Sequence, residues 1–214
     1  MEKADVISRI TQTGVIPVIR AFSKEEARSV IEAIIAGGID CIEVTMTVPQ
    51  APELINELSK QRSDLLIGAG SVLEPETARE CIVAGAKFIV SPATNFETID
   101  YCNESETVVM PGALTPTEIL NAWEAGADFV KVFPADSMGG AKYLRSLKAP
   151  MPHLKLIPTG GVSQETAADF IKAGAEAVGV GADLVDIHAI RENRADDITK
   201  AARKYLEIVR SARA

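Results

Sequence analysis

The chain is poor in the residues that build metal centres and disulfide frameworks, with three cysteines and two histidines in 214 residues. Cys41, Cys81 and Cys102 lie far apart without metal-ligand spacing, and two of them sit in apolar segments. Reduced core thiols in a cytoplasmic protein are expected. His153 and His188 are isolated, so no metal and no cofactor are expected. Long apolar runs are missing as well, including from the first stretch MEKADVISRITQTG, and neither a signal peptide nor a membrane span is expected. Basic residues are in deficit: 22 Lys and Arg face 30 Asp and Glu, for a net charge of −8, and they nowhere form a stripe. That balance argues against a nucleic-acid surface and leaves a small molecule or another subunit as the partner. No Pro/Gly/Ser-rich linker interrupts the chain, and its 47% hydrophobic content suffices for one sizeable core, so a single domain over residues 1–214 is expected.

What the chain does have is a repeat. IIAGGIDCIEV (34–44), IVAGAKFIV (82–90), WEAGADFVKV (123–132) and IKAGAEAVGV (171–180) each join a helix end, a Gly stop and a strand. The stops Gly38, Gly85, Gly126 and Gly174 are 47, 41 and 48 residues apart, and one further strand candidate falls between each pair. These are LLIGAG, TVVMPGA and LKLIPTG, with GVIPVIR ahead of the first repeat. Amphipathic stretches such as KEEARSVIEAIIA follow the strands. Eight alternating strand and helix units predict a (β/α)8 TIM barrel preceded by an N-terminal helix. An open doubly wound sheet is the alternative, but VIRAFSKEE lacks the Gly-rich dinucleotide turn expected after its first strand.

Active sites in such barrels lie at the C-terminal strand ends, and polar residues gather there. Lys131 is the one charge inside the strand-like run FVKVFPA and shares a face with Phe129 and Phe133. An ammonium among apolar neighbours loses solvation, which favours the neutral nucleophilic amine that Schiff-base chemistry needs. In DCIEVTM, Cys41, Glu43 and Thr45 share one parity, so Glu43 points into the barrel if Ile42 and Val44 face the helices. Glu43 and Lys131 could instead be an inert buried pair, although such a pair is expensive to desolvate. Arg20 ends the first strand, where it could hold a carboxylate in a bidentate fork or pair with Glu25 or Glu26 on the surface. Ser71, Ser91, Pro92 and Thr159 end other strands, and Ser71 and Thr159 could simply be loop or helix caps. Two Gly-rich turns, PTGGVSQETAADF and VGVGADLVD, close the barrel with Gly160, Gly161, Gly179, Gly181 and Ala182. They either permit tight turns or bind an anion through backbone N–H groups and a helix N-terminus, and two such turns side by side favour the anion.

Taken in order, GVIPVIR, AGGIDCIEVTMTVP, IGAGSVL, AGAKFIVSPA, MPGALTPTE, VKVFPAD, IPTGGV and VGVGADLV resemble a known family along almost the whole chain. It is the bacterial 2-keto-3-deoxy-6-phosphogluconate (KDPG) aldolases, which include enzymes acting on 4-hydroxy-2-oxoglutarate (KHG). The resemblance implies a metal-independent class I aldolase, typically a homotrimer, acting on a 2-oxo acid. By position it makes Lys131 the Schiff-base lysine and Glu43 the proton shuttle. Arg20, Ser71 and Pro92 fall on the pyruvyl carboxylate side, Thr159 and Phe133 line the substrate, and Gly160, Gly161, Gly181 and Ala182 lie at the phosphate. Many members carry an arginine where Thr47 stands here, whereas the branch this chain looks like has it at the end of the first strand. After VGVG the family usually has a serine, and this chain has Ala182 followed by Asp183. An aldolase for an unphosphorylated or shorter 2-oxo acid is therefore the alternative, beside a phosphosugar-binding barrel of different chemistry or a non-catalytic barrel.

Overall fold

The four repeat glycines share left-handed backbone, with φ of +99° at Gly38, +113° at Gly85, +98° at Gly126 and +96° at Gly174. A side chain would be strained there, so glycine lets each helix stop and the chain turn straight into a strand. The computed structural model describes all 214 residues, Met1–Ala214. Helix α1 (Lys3–Thr13) comes first, and β1 (Val15–Ile19), α2 (Lys24–Ala36), β2 (Cys41–Thr45), α3 (Ala51–Gln61), β3 (Leu66–Gly70) and α4 (Pro75–Ala84) follow. The chain continues through β4 (Phe88–Val90), α5 (Phe96–Glu104), β5 (Val108–Met110), β6 (Gly112–Ala113), α6 (Pro116–Glu124), β7 (Val130–Val132) and α7 (Ala141–Lys148). It ends with β8 (Leu156–Pro158), α8 (Ala167–Lys172), β9 (Val178–Val180), α9 (Ile187–Arg191) and α10 (Ala195–Arg213).

All strand pairs are parallel, in the orders β5-β4-β3-β2-β1-β9 and β6-β7-β8. β5 and β6 are two parts of one stave, split at Pro111, which has no N–H to give a ladder; its carbonyl still accepts from Lys131 N at 2.9 Å. A bridge between Thr159 and Gly179 joins the β8 side to β9, which closes eight staves into the expected (β/α)8 barrel. Helix starts follow local chemistry: Ser23, Asn95 and Thr115 cap α2, α5 and α6 through side-chain oxygens, and Thr115 with Glu118 forms a full capping box.

Strand alternation separates two cores. Ile42 and Val44 face the layer between strands and helices, whereas Cys41, Leu66, Phe88, Val108 and Phe129 fill the barrel interior. Val6 and Ile10 of α1 join that inner cluster, so α1 plugs the N-terminal end and leaves only the C-terminal end open. All three cysteines are free and buried, and no helix is long and apolar enough to cross a membrane.

Candidate active site

Above Cys41 on the inner face of β2 sits Glu43, only 3% exposed. Its Oε1 is buried without a hydrogen-bond partner. It lies against Gly70 of β3, where a Cβ would come within 1.9 Å of that oxygen. Burial pushes the Glu43 carboxyl above the ordinary carboxylate range, and the positive charges of Lys131 and Arg20 oppose the shift without reversing it. Lys131 rises from the inner face of β7 above Phe129 and is 4% exposed. Its Nζ lies 5.2 Å from the centre of the Phe133 ring, and no salt bridge joins it to Glu43. The two groups thus share the barrel mouth without forming the contact ion pair that an inert structural couple would require. Next to them Thr45 Oγ1 donates to Ile19 O at 2.8 Å and lies 2.6 Å from Thr47 Oγ1, fixing the end of β2 to the end of β1 just below Arg20.

Arg20 is exposed and takes part in no ion pair; of its two candidate partners, Glu25 makes no salt bridge and Glu26 is occupied elsewhere. Glu26 accepts from Arg191 Nε at 2.7 Å and from Phe22 N at 3.2 Å. The guanidinium instead lines a cavity of about 420 Å³ together with Phe133, Thr159, the glycine turns and Asp183. A second cavity of about 460 Å³ lies on the other side of Phe133 and includes Pro92, Thr94, Leu114 and Asn121. Gly112 is required beside it, since a Cβ there would fall 2.3 Å from the Pro92 carbonyl. Ser71 is half-buried at the end of β3 with φ of +59° and lines neither cavity.

The two terminal turns face the first cavity. The backbone N–H groups of Gly160, Gly161, Gly181 and Ala182 donate to nothing within the protein. They are turn amides as expected, but the helix N-terminus expected to follow them directly stands further along the chain. The segment after Gly161 folds on itself: Thr166 Oγ1 donates to Gly161 O at 2.8 Å and accepts from Ser163 N at 2.9 Å, so α8 begins only at Ala167. Asp183 accepts a hydrogen bond from the hydroxyl of Tyr205 on α10. Sequence reasoning missed Gly70 as the neighbour of Glu43, although two glycines on one face of LIGAG signal a close approach. It also missed the Asp183–Tyr205 contact, for which no local signal exists.

The family model for aldolases, KDPG and KHG aldolase, matches residues 6–201. The chain belongs to the KDPG and KHG aldolase family. It is 31% identical over 205 residues to the KHG/KDPG aldolase of Escherichia coli (strain K12), covering 96% of this chain and 96% of that protein. The 2-dehydro-3-deoxy-phosphogluconate aldolase of Treponema pallidum (strain Nichols) is 32% identical over 204 residues, covering 95% of this chain and 97% of that one. Among solved structures, the KDPG aldolase from Legionella pneumophila with pyruvate captured at low pH as a covalent carbinolamine intermediate matches with a TM-score of 0.85 at 31% identity. That match covers 92% of this chain and 96% of the other. As a member of the KDPG and KHG aldolase family this chain is a carbon–carbon lyase, and its open barrel mouth holds a buried lysine and a buried glutamate.

Proposed function

We propose that this protein is a metal-independent class I aldolase that cleaves KDPG to pyruvate and glyceraldehyde 3-phosphate through a Schiff base on Lys131, and that it also cleaves KHG to pyruvate and glyoxylate. The observation that carries the reading is the pairing of functions at the barrel mouth: a buried lysine without a counter-ion and a buried glutamate whose Oε1 has no partner. Neutral Lys131 Nζ attacks the C2 carbonyl carbon, giving a carbinolamine. Protonated Glu43, favoured by burial, gives its proton to the carbinolamine hydroxyl, which leaves as water and creates an iminium. Glu43, now a carboxylate, takes the proton of the C4 hydroxyl. The C3–C4 electron pair then moves into the iminium, the aldehyde departs, and an enamine of pyruvate remains. Protonation at C3 and hydrolysis release pyruvate and restore the lysine.

In this scheme Arg20 grips the substrate carboxylate from the first cavity, while Phe133 and Thr159 line the chain between C3 and C6. Pro92 lies across Phe133 in the second cavity and Ser71 at the end of β3 lines neither, so the carboxylate clamp expected of Arg20, Ser71 and Pro92 together is reduced to Arg20. The amides of Gly160, Gly161, Gly181 and Ala182 receive the far end of the substrate, a role supported by their lack of protein acceptors. A homotrimer and a cytoplasmic location complete the proposal. The trimer rests on the family resemblance and on an exposed apolar pair, Leu73 and Phe96, drawn together where Asn95 Nδ2 donates to Leu73 O at 3.2 Å. Light scattering should give three times the 22.8 kDa subunit mass.

The deciding experiment is borohydride reduction in the presence of pyruvate, followed by peptide mass mapping. An adduct on the Lys131 peptide, absent from Lys131→Ala, is expected. Folded wild-type protein that forms no adduct and releases no pyruvate would return the chain to a barrel of different chemistry.

A further inference from the structure

The far end of the first cavity offers both donors and an acceptor. Four turn residues that line it, Gly160, Gly161, Gly181 and Ala182, have amides without a protein acceptor, and the residue after Ala182 is a carboxylate, Asp183, in the same lining. That carboxylate is anchored: the Tyr205 hydroxyl, on a residue wholly buried in α10, donates to Asp183 Oδ2, and Oδ1 has no protein partner. Ala182 adds no polar side-chain atom, and Arg20 is the one cation in the lining. Arg20 shares this cavity with the turns, but in the mechanism above it is taken up by the substrate carboxylate. We infer that Asp183 sets the tail specificity of this site, and that the enzyme accepts the neutral, hydroxylated tail of an unphosphorylated 2-keto-3-deoxy sugar acid on at least equal terms with the phosphorylated one.

This inference rests on the aldolase reading and names its substrate class more narrowly. A phosphate monoester is mostly a dianion at neutral pH and presents only acceptors to such a wall. It satisfies the amides and is repelled by Asp183. A terminal hydroxyl satisfies both partners, because its oxygen accepts from an amide and its O–H donates to Asp183 Oδ1. Asp183 is exposed, so solvent screening limits the discrimination to about tenfold rather than the far larger factors seen in closed polar sites.

The test measures kcat/KM for pyruvate release from KDPG and from 2-keto-3-deoxygluconate, side by side. In the wild type the two values should lie within about tenfold of each other. Asp183→Asn keeps an acceptor for Tyr205 and removes the charge. It should raise the ratio of phosphorylated to unphosphorylated kcat/KM about tenfold, mainly through KM, and strengthen competitive inhibition by inorganic phosphate. Ala182→Ser, which adds a donor and leaves the Tyr205 contact alone, should move the ratio in the same direction. A ratio unchanged in both variants, or a wild type that favours KDPG by more than about tenfold, overturns the proposal. Borohydride trapping with pyruvate involves no tail. A normal Lys131 adduct with an unchanged ratio therefore refutes the tail specificity alone, and a missing adduct with neither substrate cleaved refutes the aldolase reading itself.

Discussion

Gly70→Ala tests the catalytic geometry without touching a titratable group. Gly70 pairs with Thr45 across β2 and β3 and is not among the residues of positive φ, so alanine brings no backbone strain. Its Cβ would lie 1.9 Å from Glu43 Oε1 and 2.6 Å from both Cγ and Cδ, where contacts under 3.0 Å are essentially never tolerated. The carboxyl must move by about 1 Å or more, and a misplacement of that size lowers turnover by about 100-fold. Crowding in a packed interior adds a stability cost of about 1–3 kcal/mol. Gly68→Ala is the matched control: Gly68 is the ladder partner of Glu43, yet its Cβ would meet the Phe88 ring at 2.2–2.4 Å and not the carboxyl. It should lower the melting temperature by a few degrees and leave kcat per folded subunit within a factor of about three. Steady-state pyruvate release, normalised to trapped Lys131 sites, measures both. If Gly70→Ala turns over like the wild type, or Gly68→Ala loses as much activity, the placement of Glu43 is not what limits the chemistry.

Glu43→Gln should lower turnover by roughly 10²–10⁴-fold and change the dependence of stability on pH. With its native carboxyl raised, the folded state holds a proton that the unfolded chain has already lost, so wild-type stability declines as pH rises from the ordinary carboxylate range through the native value. The variant lacks that decline, and its urea midpoint should gain on the wild type across this window; a constant offset would contradict the buried-carboxyl assignment. Arg20→Ala should lower kcat/KM by on the order of 10²-fold, through loss of charged hydrogen bonds, and Arg20→Lys should recover only part because an ammonium cannot form the fork. Unchanged kcat/KM in Arg20→Ala would remove it from the carboxylate clamp. Burial pushes the Cys81 and Cys102 thiols up to about 12 and raises Cys41 as well, so a thiol-exchange reagent at pH 8 should count none in the native protein and three in denaturant. One rapidly reacting native thiol would contradict the inner and outer packing described.

The barrel was legible because its information is local and periodic. Each repeat glycine, each cap such as Thr115 and Glu118, and the parity of Cys41, Glu43 and Thr45 act within a few residues of chain. The same parity indicates which way Glu43 and Lys131 point. What escaped the sequence is set by contacts between distant segments. Glu26 is 165 residues from Arg191, and that pairing takes one of the two candidate partners away from Arg20. Tyr205 reaches Asp183 across 22 residues, and Gly70 makes room for a carboxyl on another strand. The late start of α8 follows from a hydroxyl, Thr166, taking up acceptor and donor groups that a helix would otherwise have used.

Helix α1 turns the barrel into a vessel with a floor. Since Val6 and Ile10 complete the inner apolar cluster from below, the lower staves work as foundation and the upper rim is released from holding the fold together. Changes in rim residues such as Ala182 and Asp183 can then redirect what the enzyme accepts while the foundation stays intact. A tether attached at residue 1 would emerge beneath the floor and leave the rim facing solution, so anchoring the chain to a surface by that end keeps every catalytic mouth unobstructed.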